Sequence, residues 1–390
     1  MTGFLDGNQV RLLCNGADYF PALETAIDQA VREIYLETYI FEYDSTGRRI
    51  AAALKRAARR GVTTHLLVDG YGGKTLPREA IEEMRADGVQ VLIYRPTLAK
   101  FRRSSYRRLH RKIVVVDGRI AFVGGINIID DMDTPGQTPP RYDYAVRVEG
   151  PLLPQIHAVV RKLWGLVSWS QLRRRRRRQP LALSPVAAGN VRAAFVIRDN
   201  IGHRRDIEEA YLEAINNACA EIVLANAYFL PGRHFRQALI QAAARGVRVV
   251  LLLQGRVEYF LLHYATRALY GLFLDAGIEI YEYHRSFMHA KVAVVDGAWA
   301  TVGSSNIDPF SLLLSREANV VVSDAGFSAQ LRASLEQAMR EGSRVVTYAN
   351  WKRQPLCQRF LSWLSYGGVR VLMGVAGYGR EGSRAAPGES

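Results

Sequence analysis

The chain has 390 residues, 48% hydrophobic and 23% charged; these proportions exclude a disordered, collagen-like or coiled-coil polypeptide and leave room for two or three domains. Its 52 Lys plus Arg against 37 Asp plus Glu give a formal net charge of +15, which seeks a polyanion or an anionic surface. Three scattered cysteines, Cys14, Cys219 and Cys357, argue against a disulfide framework and fit a reducing compartment.

No basic run leading into an apolar stretch opens the sequence, and no long apolar window occurs, so neither a signal peptide nor a spanning helix is expected. In chain order, residues 34–41 (IYLETYIF) read as a strand. Residues 48–60 (RRIAAALKRAARR) have helical composition and stop at Gly61, a C-cap residue. THLLVDG (64–70) is the next strand. The GYGGKT that follows ends like a nucleotide-binding loop but has Val68 where that loop needs glycine. Between Gly88 and Val116 there is no acid, yet Arg95, Lys100, Arg102, Arg103, Arg107, Arg108, Arg111 and Lys112 occur there. Arg173 to Arg178 is an unbroken run. These two clusters account for nearly all of the net charge.

The second half repeats the first. REIYLETYIF (32–41) answers to AEIVLANAYF (220–229), RAARRGVTTHLLVDG (56–70) to QAAARGVRVVLLLQG (241–255), and RADGVQVLIY (85–94) to LDAGIEIYEY (274–283). HRKIVVVDGRIAFVGGIN (110–127) answers to HAKVAVVDGAWATVGSSN (289–306). A period this long predicts two similar domains, and the strand–helix–strand alternation within each predicts an α/β layered fold. The expected units are residues 1–170, an Arg-rich linker at 171–188, residues 189–350, and an amphipathic segment with a disordered tail at 351–390.

One string recurs in both halves: His, any residue, Lys, four residues, Asp. It is His110, Lys112, Asp117 and again His289, Lys291, Asp296. Its double occurrence at matching places removes coincidence. His and Lys two apart on a strand share a face. The apolar runs after them (IVVV, VAVV) read as buried strands, and Asp-Gly then predicts a hairpin turn. Both aspartates therefore read as fixing the hairpin, several residues from the His–Lys pair. Gly124, Gly125 and Asn127, and Gly303, Ser304, Ser305 and Asn306, form small-residue turns whose N–H groups and amides suit an anion, making Gly125, Asn127, Ser304 and Asn306 candidate substrate contacts. Asp143 lies 33 residues after His110, and Glu317 lies 28 after His289. Each is placed to take a proton from one imidazole nitrogen, fixing the tautomer and freeing the other nitrogen.

Half a site does little alone. Two histidines facing each other across one anion, flanked by two lysines, suit substitution at a phosphodiester through a phosphohistidine. No metal-ligand pattern occurs, and no cofactor is expected.

These residues resemble the phospholipase D superfamily, whose mark is the duplicated His-x-Lys-x4-Asp motif. ETYIFEYDSTG, LLVDGYGG, LHRKIVVVDGRIAFVGGIN, DYAVRVEGP, ANAYFLPG and MHAKVAVVDGAWATVGSSNIDP closely resemble the bacterial cardiolipin synthases, the B type in particular. The resemblance covers about residues 6–348. It implies two α-β-α sandwich domains related by a pseudo-two-fold axis. It also implies transfer of a phosphatidyl group between phosphatidylglycerol molecules with release of glycerol. His110 would be the nucleophile and His289 the general acid and base, with Lys112, Lys291, Asp117 and Asp296 counted with the motif. The residues alone do not order the histidines. Phospholipase D, phosphatidylserine synthase and nuclease readings share the chemistry, although no aromatic stacking platform for nucleic acid accompanies the basic stretch. The expected partners are anionic phospholipids, phosphatidylglycerol and cardiolipin, on the cytoplasmic face of a bacterial membrane, with no nucleic acid. Segments 257–277, 156–170 and 355–375 mix apolar, aromatic and Arg residues as interfacial segments do.

Overall fold

The computed structural model describes residues 3–95, 107–171, 186–199, 202–308, 315–353 and 355–375. The expectations for Lys100, Arg102, Arg103, the Arg173–Arg178 run and the tail beyond Val375 fall outside these residues.

The first lobe runs β1 (Leu5–Cys14), α1 (Asn15–Asp28), β2 (Glu33–Thr38), α2 (Ser45–Arg59), β3 (Thr63–Asp69), α3 (Arg78–Ala86), β4 (Gln90–Tyr94), β5 (Arg108–Leu109), β6 (Lys112–Val116), β7 (Ile120–Gly124), β8 (Tyr144–Glu149) and α4 (Leu153–Ser170). The second runs β9 (Val191–Arg198), α5 (Asp206–Asn217), β10 (Glu221–Asn226), α6 (Arg233–Ala244), β11 (Arg248–Gln254), α7 (Phe260–Arg267), α8 (Tyr270–Asp275), β12 (Glu279–Tyr283), β13 (Lys291–Val295), β14 (Trp299–Gly303), β15 (Ser315–Ser323) and α9 (Ala325–Gly342). After it come β16 (Ser343–Val345), α10 (Tyr348–Lys352) and α11 (Leu356–Val375).

Local chemistry sets these bounds. The Asp44 carboxylate accepts from the Gly47 N–H at 2.8 Å and caps α2. Gly61, with φ +89°, follows the helix end. KIVVV of β6 and KVAVV of β13 are buried throughout, because both faces of the sheet are covered by helices.

The strands of the first lobe lie in the order β1-β8-β7-β6-β2-β3-β4, and those of the second in the order β9-β15-β14-β13-β10-β11-β12. The two orders are the same. β1 pairs with β9 antiparallel, so equivalent edge strands join the lobes about an approximate two-fold into one continuous sheet. On one face, α4 and α9 cover a core that runs through both lobes, including Ile156, Val160, Leu331 and Leu335. On the other face each lobe keeps its own core, under α1–α3 in the first and α5–α8 in the second. This is a pair of α-β-α sandwiches.

Two of the expected interfacial segments differ. Most of α4 is core, with only Leu166 and Trp169 among its large apolar side chains exposed. Residues 257–277 break into α7 and α8, which bury Leu269, Tyr270 and Phe273 and expose Phe260, Leu261 and Leu272. In α11 the apolar face is open: Leu356, Phe360, Trp363, Leu364 and Val371 are exposed.

Candidate active site

Each histidine is placed by the opposite lobe. β5 runs beside the start of β15, with Arg108 opposite Ser315 and Leu109 opposite Arg316, and the His110 N–H donates to the Arg316 carbonyl at 3.0 Å. The next residue along β15 is Glu317. Its carboxylate oxygens stand 2.9 and 3.1 Å from His110 Nδ1. In the mirrored arrangement, Tyr142 and Phe287 pair, and the His289 N–H donates to the Tyr142 carbonyl at 2.7 Å. Asp143 comes next, its Oδ2 at 2.7 Å from His289 Nδ1. The pairing is thus crossed. Asp143 serves the second lobe's histidine and Glu317 the first's, although the spacing along the chain had attached each to its own half.

The imidazole centroids lie 6.5 Å apart. A carboxylate only accepts, so Nδ1 of each ring carries the proton and Nε2 carries the lone pair. Burial lowers the pKa of both histidines, with Lys112 adding to the effect at His110; at His289 burial and then the Lys291 charge take it to about 3, against the pull of Asp143. Both rings are therefore neutral at pH 7 in the unliganded protein.

The lysines sit beneath. Lys112 Nζ donates to the His110 carbonyl at 2.6 Å, and Lys291 Nζ donates to the His289 carbonyl. Both are buried. Burial brings the pKa of Lys112 down to about 7 and that of Lys291 to about 8, with Glu317 and Asp143 respectively opposing the fall. Two desolvated lysines beside two imidazole lone pairs form a socket suited to an anion.

The motif aspartates stand elsewhere. Asp117 lies at the far end of β6, about 16 Å from Lys112 by the rise of a strand. Its carboxylate accepts from the N–H groups of Val31, Arg32 and Glu33 at 2.8–2.9 Å. Asp296 does the same with Cys219, Ala220 and Glu221, each at 2.8 Å. Asp117 and Asp296 have φ of 53° and 49°, and Gly118 and Gly297 have 61° and 62°, the left-handed pair that a type I′ turn needs. On this geometry they clamp the hairpin to the preceding loop, away from the histidines.

The small-residue turns also work from behind. Gly125 and Ser304 N–H groups donate to the Tyr144 and Ala318 carbonyls, continuing the strand pairing, and so are not free for an anion. The Ser304 hydroxyl donates to Glu317 Oε2 at 2.6 Å. A Cβ on Gly125 would meet Asp143 Oδ1 at 2.2 Å, so only glycine lets that carboxylate reach His289. Asn127 Oδ1 accepts from the Ile40 N–H at 3.1 Å, and Asn306 is buried. Gly125 and Ser304 thus hold the carboxylates that support the histidines.

Three features escaped the sequence reading. Tyr39 packs edge-on against His110, centroids 4.9 Å apart, with Lys112 Nζ 5.6 Å from its ring. Arg111, counted with the surface charge, is buried and ion-paired with Glu37, Nη2 to Oε1 at 2.9 Å. The Tyr39 signal lay in the conspicuous TYIF string, whereas Glu37 is 74 residues from its partner and leaves no local trace. The third is Gln254, whose amide atoms are buried without a hydrogen-bond partner among the described residues.

The family model described as "Cardiolipin synthase, PLD-like domain" matches residues 23–132 and 211–339. The chain is 43% identical over 332 residues to the cardiolipin synthase B of Escherichia coli K12, covering 85% of this chain and 80% of that one. It is 32% identical over 349 residues to a probable cardiolipin synthase of Bacillus subtilis, covering 89% and 69%. Among solved structures, the phosphatidylserine synthase of Haemophilus influenzae superposes with a TM-score of 0.73 over 95% of each chain at 15% identity, a likeness of fold.

Proposed function

The chain belongs to the phospholipase D-like cardiolipin synthase family, and from that premise we propose that it joins two phosphatidylglycerol molecules into cardiolipin and releases glycerol. The observation that supports this most is the facing histidine pair, each ring anchored at Nδ1 by the other lobe's carboxylate above a buried lysine.

His110 is the nucleophile. Its ring is held by both oxygens of Glu317, by Ser304 through that carboxylate, and by Tyr39 at its edge. Nε2 attacks phosphorus, the P–O bond to glycerol breaks, and the alkoxide takes a proton from His289. A second phosphatidylglycerol then places its terminal hydroxyl against His289, which removes the proton as the new P–O bond forms and the P–N bond breaks. The donor phosphate's negative charge raises the pKa of His289 toward the protonated form the first step needs. The same charge keeps Lys112 and Lys291 protonated against the non-bridging oxygens. Asp117, Asp296, Asn127, Asn306, Gly125 and Ser304 act by holding this frame.

The enzyme docks peripherally on the cytoplasmic leaflet. α11 packs on α7, and together they present Phe260, Leu261, Phe360, Trp363 and Leu364 to solvent. Among the described residues no helix is long and apolar enough to cross a membrane. Net positive charge favours an anionic leaflet, at about 1 kcal/mol per basic residue near the surface.

Labelled phosphatidylglycerol vesicles test the reaction. Cardiolipin and glycerol in equal amounts, with a phosphohistidine trapped in wild type and lost in His110→Ala, are expected. Phosphatidic acid as the main product overturns the acceptor assignment, and a trapped phosphohistidine that survives in His110→Ala reverses the histidine order.

A further inference from the structure

Tyr142 and Tyr144 flank Asp143, and two apart on an extended chain their side chains share a face. Both rings enter the core beneath α9, a helix of the second lobe, and meet Ser334 there. The Tyr142 hydroxyl donates to the Ser334 carbonyl at 3.2 Å. A phenol has one proton. In the contact between the two tyrosines the Tyr144 hydroxyl is therefore the donor, and in the 2.7 Å contact between Tyr144 and Ser334 Oγ the donor is the serine. The three hydroxyls form one directed ring that begins and ends on Ser334. Burial holds the pKa of Tyr142 up at about 12 and that of Tyr144 well above the ordinary tyrosine value, so the ring keeps its protons at neutral pH.

Between the two tyrosines lies the carboxylate that orients His289. Asp143 Oδ1 accepts from the Tyr144 N–H at 2.8 Å, and its Oδ2 stands 2.7 Å from His289 Nδ1. The Tyr142 carbonyl accepts from the His289 N–H at 2.7 Å. A tilt of these three residues moves the carboxylate off the ring. The other carboxylate is steadied differently. Arg316 and Ala318, which flank Glu317, carry no hydroxyl, and the Ser304 hydroxyl donates to Glu317 directly. Gly125 stands in the equivalent place of the first lobe and has no hydroxyl to give Asp143.

We propose that Tyr142, Tyr144 and Ser334 are positioning residues for the acid–base histidine: their hydroxyl ring fastens the Asp143 segment of the first lobe to α9 of the second and keeps its carboxylate in line with His289 Nδ1. The inference rests on the phosphatidyl-transfer reading and adds to it three residues that act through Asp143. It assigns them to proton transfer by His289 and not to attack by His110.

The test uses full-length protein in excess over lipid, in mixed vesicles. It compares the first-turnover release of glycerol from phosphatidylglycerol with that of 4-nitrophenol from phosphatidyl-4-nitrophenol. Both reactions form the P–N bond to His110 and break a P–O bond. Glycerol needs a proton from His289 as it leaves, whereas nitrophenolate departs as a stable anion. Tyr144→Phe is expected to raise the nitrophenol-to-glycerol rate ratio about tenfold over wild type, in the same direction as the larger rise in His289→Ala. Both rates come from one preparation, so a loss of folded protein does not imitate the effect. Should Tyr144→Phe yield no folded protein, Ser334→Ala, which takes one hydroxyl from the ring, is read the same way. A ratio equal to that of wild type, while His289→Ala raises it, overturns this inference alone. A ratio unmoved in His289→Ala overturns the acid assignment and this inference with it. Release of neither alcohol by wild type overturns the transferase reading as a whole.

Discussion

The two lobes share a strand order and a motif, yet their sites are furnished differently. In the first lobe Glu37 and Arg111 form a buried ion pair at the head of the site; the second has Ala225 and Ala290 in the equivalent places. Tyr39 corresponds to Ala227, Asp69 with its three hydrogen bonds to Gln254 with none among the described residues, and Gly125 to Ser304. The first lobe is cross-braced around His110 by Glu37, Arg111 and Tyr39; the second has only alanines at the equivalent places beside His289. Duplication preserved the strands that carry His and Lys, because register on a buried sheet tolerates no slip. It left other positions around the site free to diverge, and there the lobes differ: one is braced by an ion pair and a tyrosine, the other carries alanines in those places.

This contrast can be broken most sharply at the crossed carboxylates. Asp143→Asn and Glu317→Gln should each lower the transfer rate about a thousandfold by favouring the wrong imidazole tautomer. Asp143→Asn should reproduce the pattern of His289→Ala in phosphohistidine trapping, and Glu317→Gln that of His110→Ala. A pattern following the lobe of origin would refute the crossing. Next, Arg111→Ala should destabilise the protein by about 3–5 kcal/mol through the orphaned Glu37. The double change Glu37→Ala with Arg111→Ala, which imitates the second lobe, should recover most of that in urea unfolding. Gly125→Ala, by pressing on Asp143, should reduce the rate about a hundredfold with KM little changed. Ser304→Gly, which makes the second lobe match the first, removes one hydrogen bond to Glu317 and should lower the rate about tenfold.

The smallest effect is in the pH dependence. The pKa of Lys112 is lowered to about 7 and that of Lys291 to about 8. The unfolded chain therefore binds more protons than the folded one from about pH 7 to pH 10, and stability rises with pH across that window. Inhibition by inorganic phosphate should run the other way and weaken as pH climbs through 7 and 8. Lys112→Met should flatten both trends, as read by thermal unfolding and by the phosphate inhibition constant.

Much of the architecture is written locally. The paired strings at 110–127 and 289–306 announce strand, left-handed turn and strand, and every side chain of IVVV and VAVV is buried. The His–Lys spacing announces the shared face. The crossing is not written locally: Asp143 and Glu317 each follow a histidine of their own half, and only the antiparallel joint of β1 with β9 exchanges them. Arg111 reads as surface charge because its neighbours are basic, and the pairing of β2 with β6 that brings Glu37 to it is long-range. The replacement of LLVDG by LLLQG is plain in the sequence, but its effect shows only in the hydrogen bonds that Asp69 makes and Gln254, among the described residues, does not.

The exchange of backbone supports between the lobes has a consequence during synthesis. A nascent chain that has emerged only as far as α4 carries His110 and Lys112 but neither the Arg316 carbonyl nor the Glu317 carboxylate that orient the ring. The ring gains these supports only once β15 has been made, so the site is completed late in the chain.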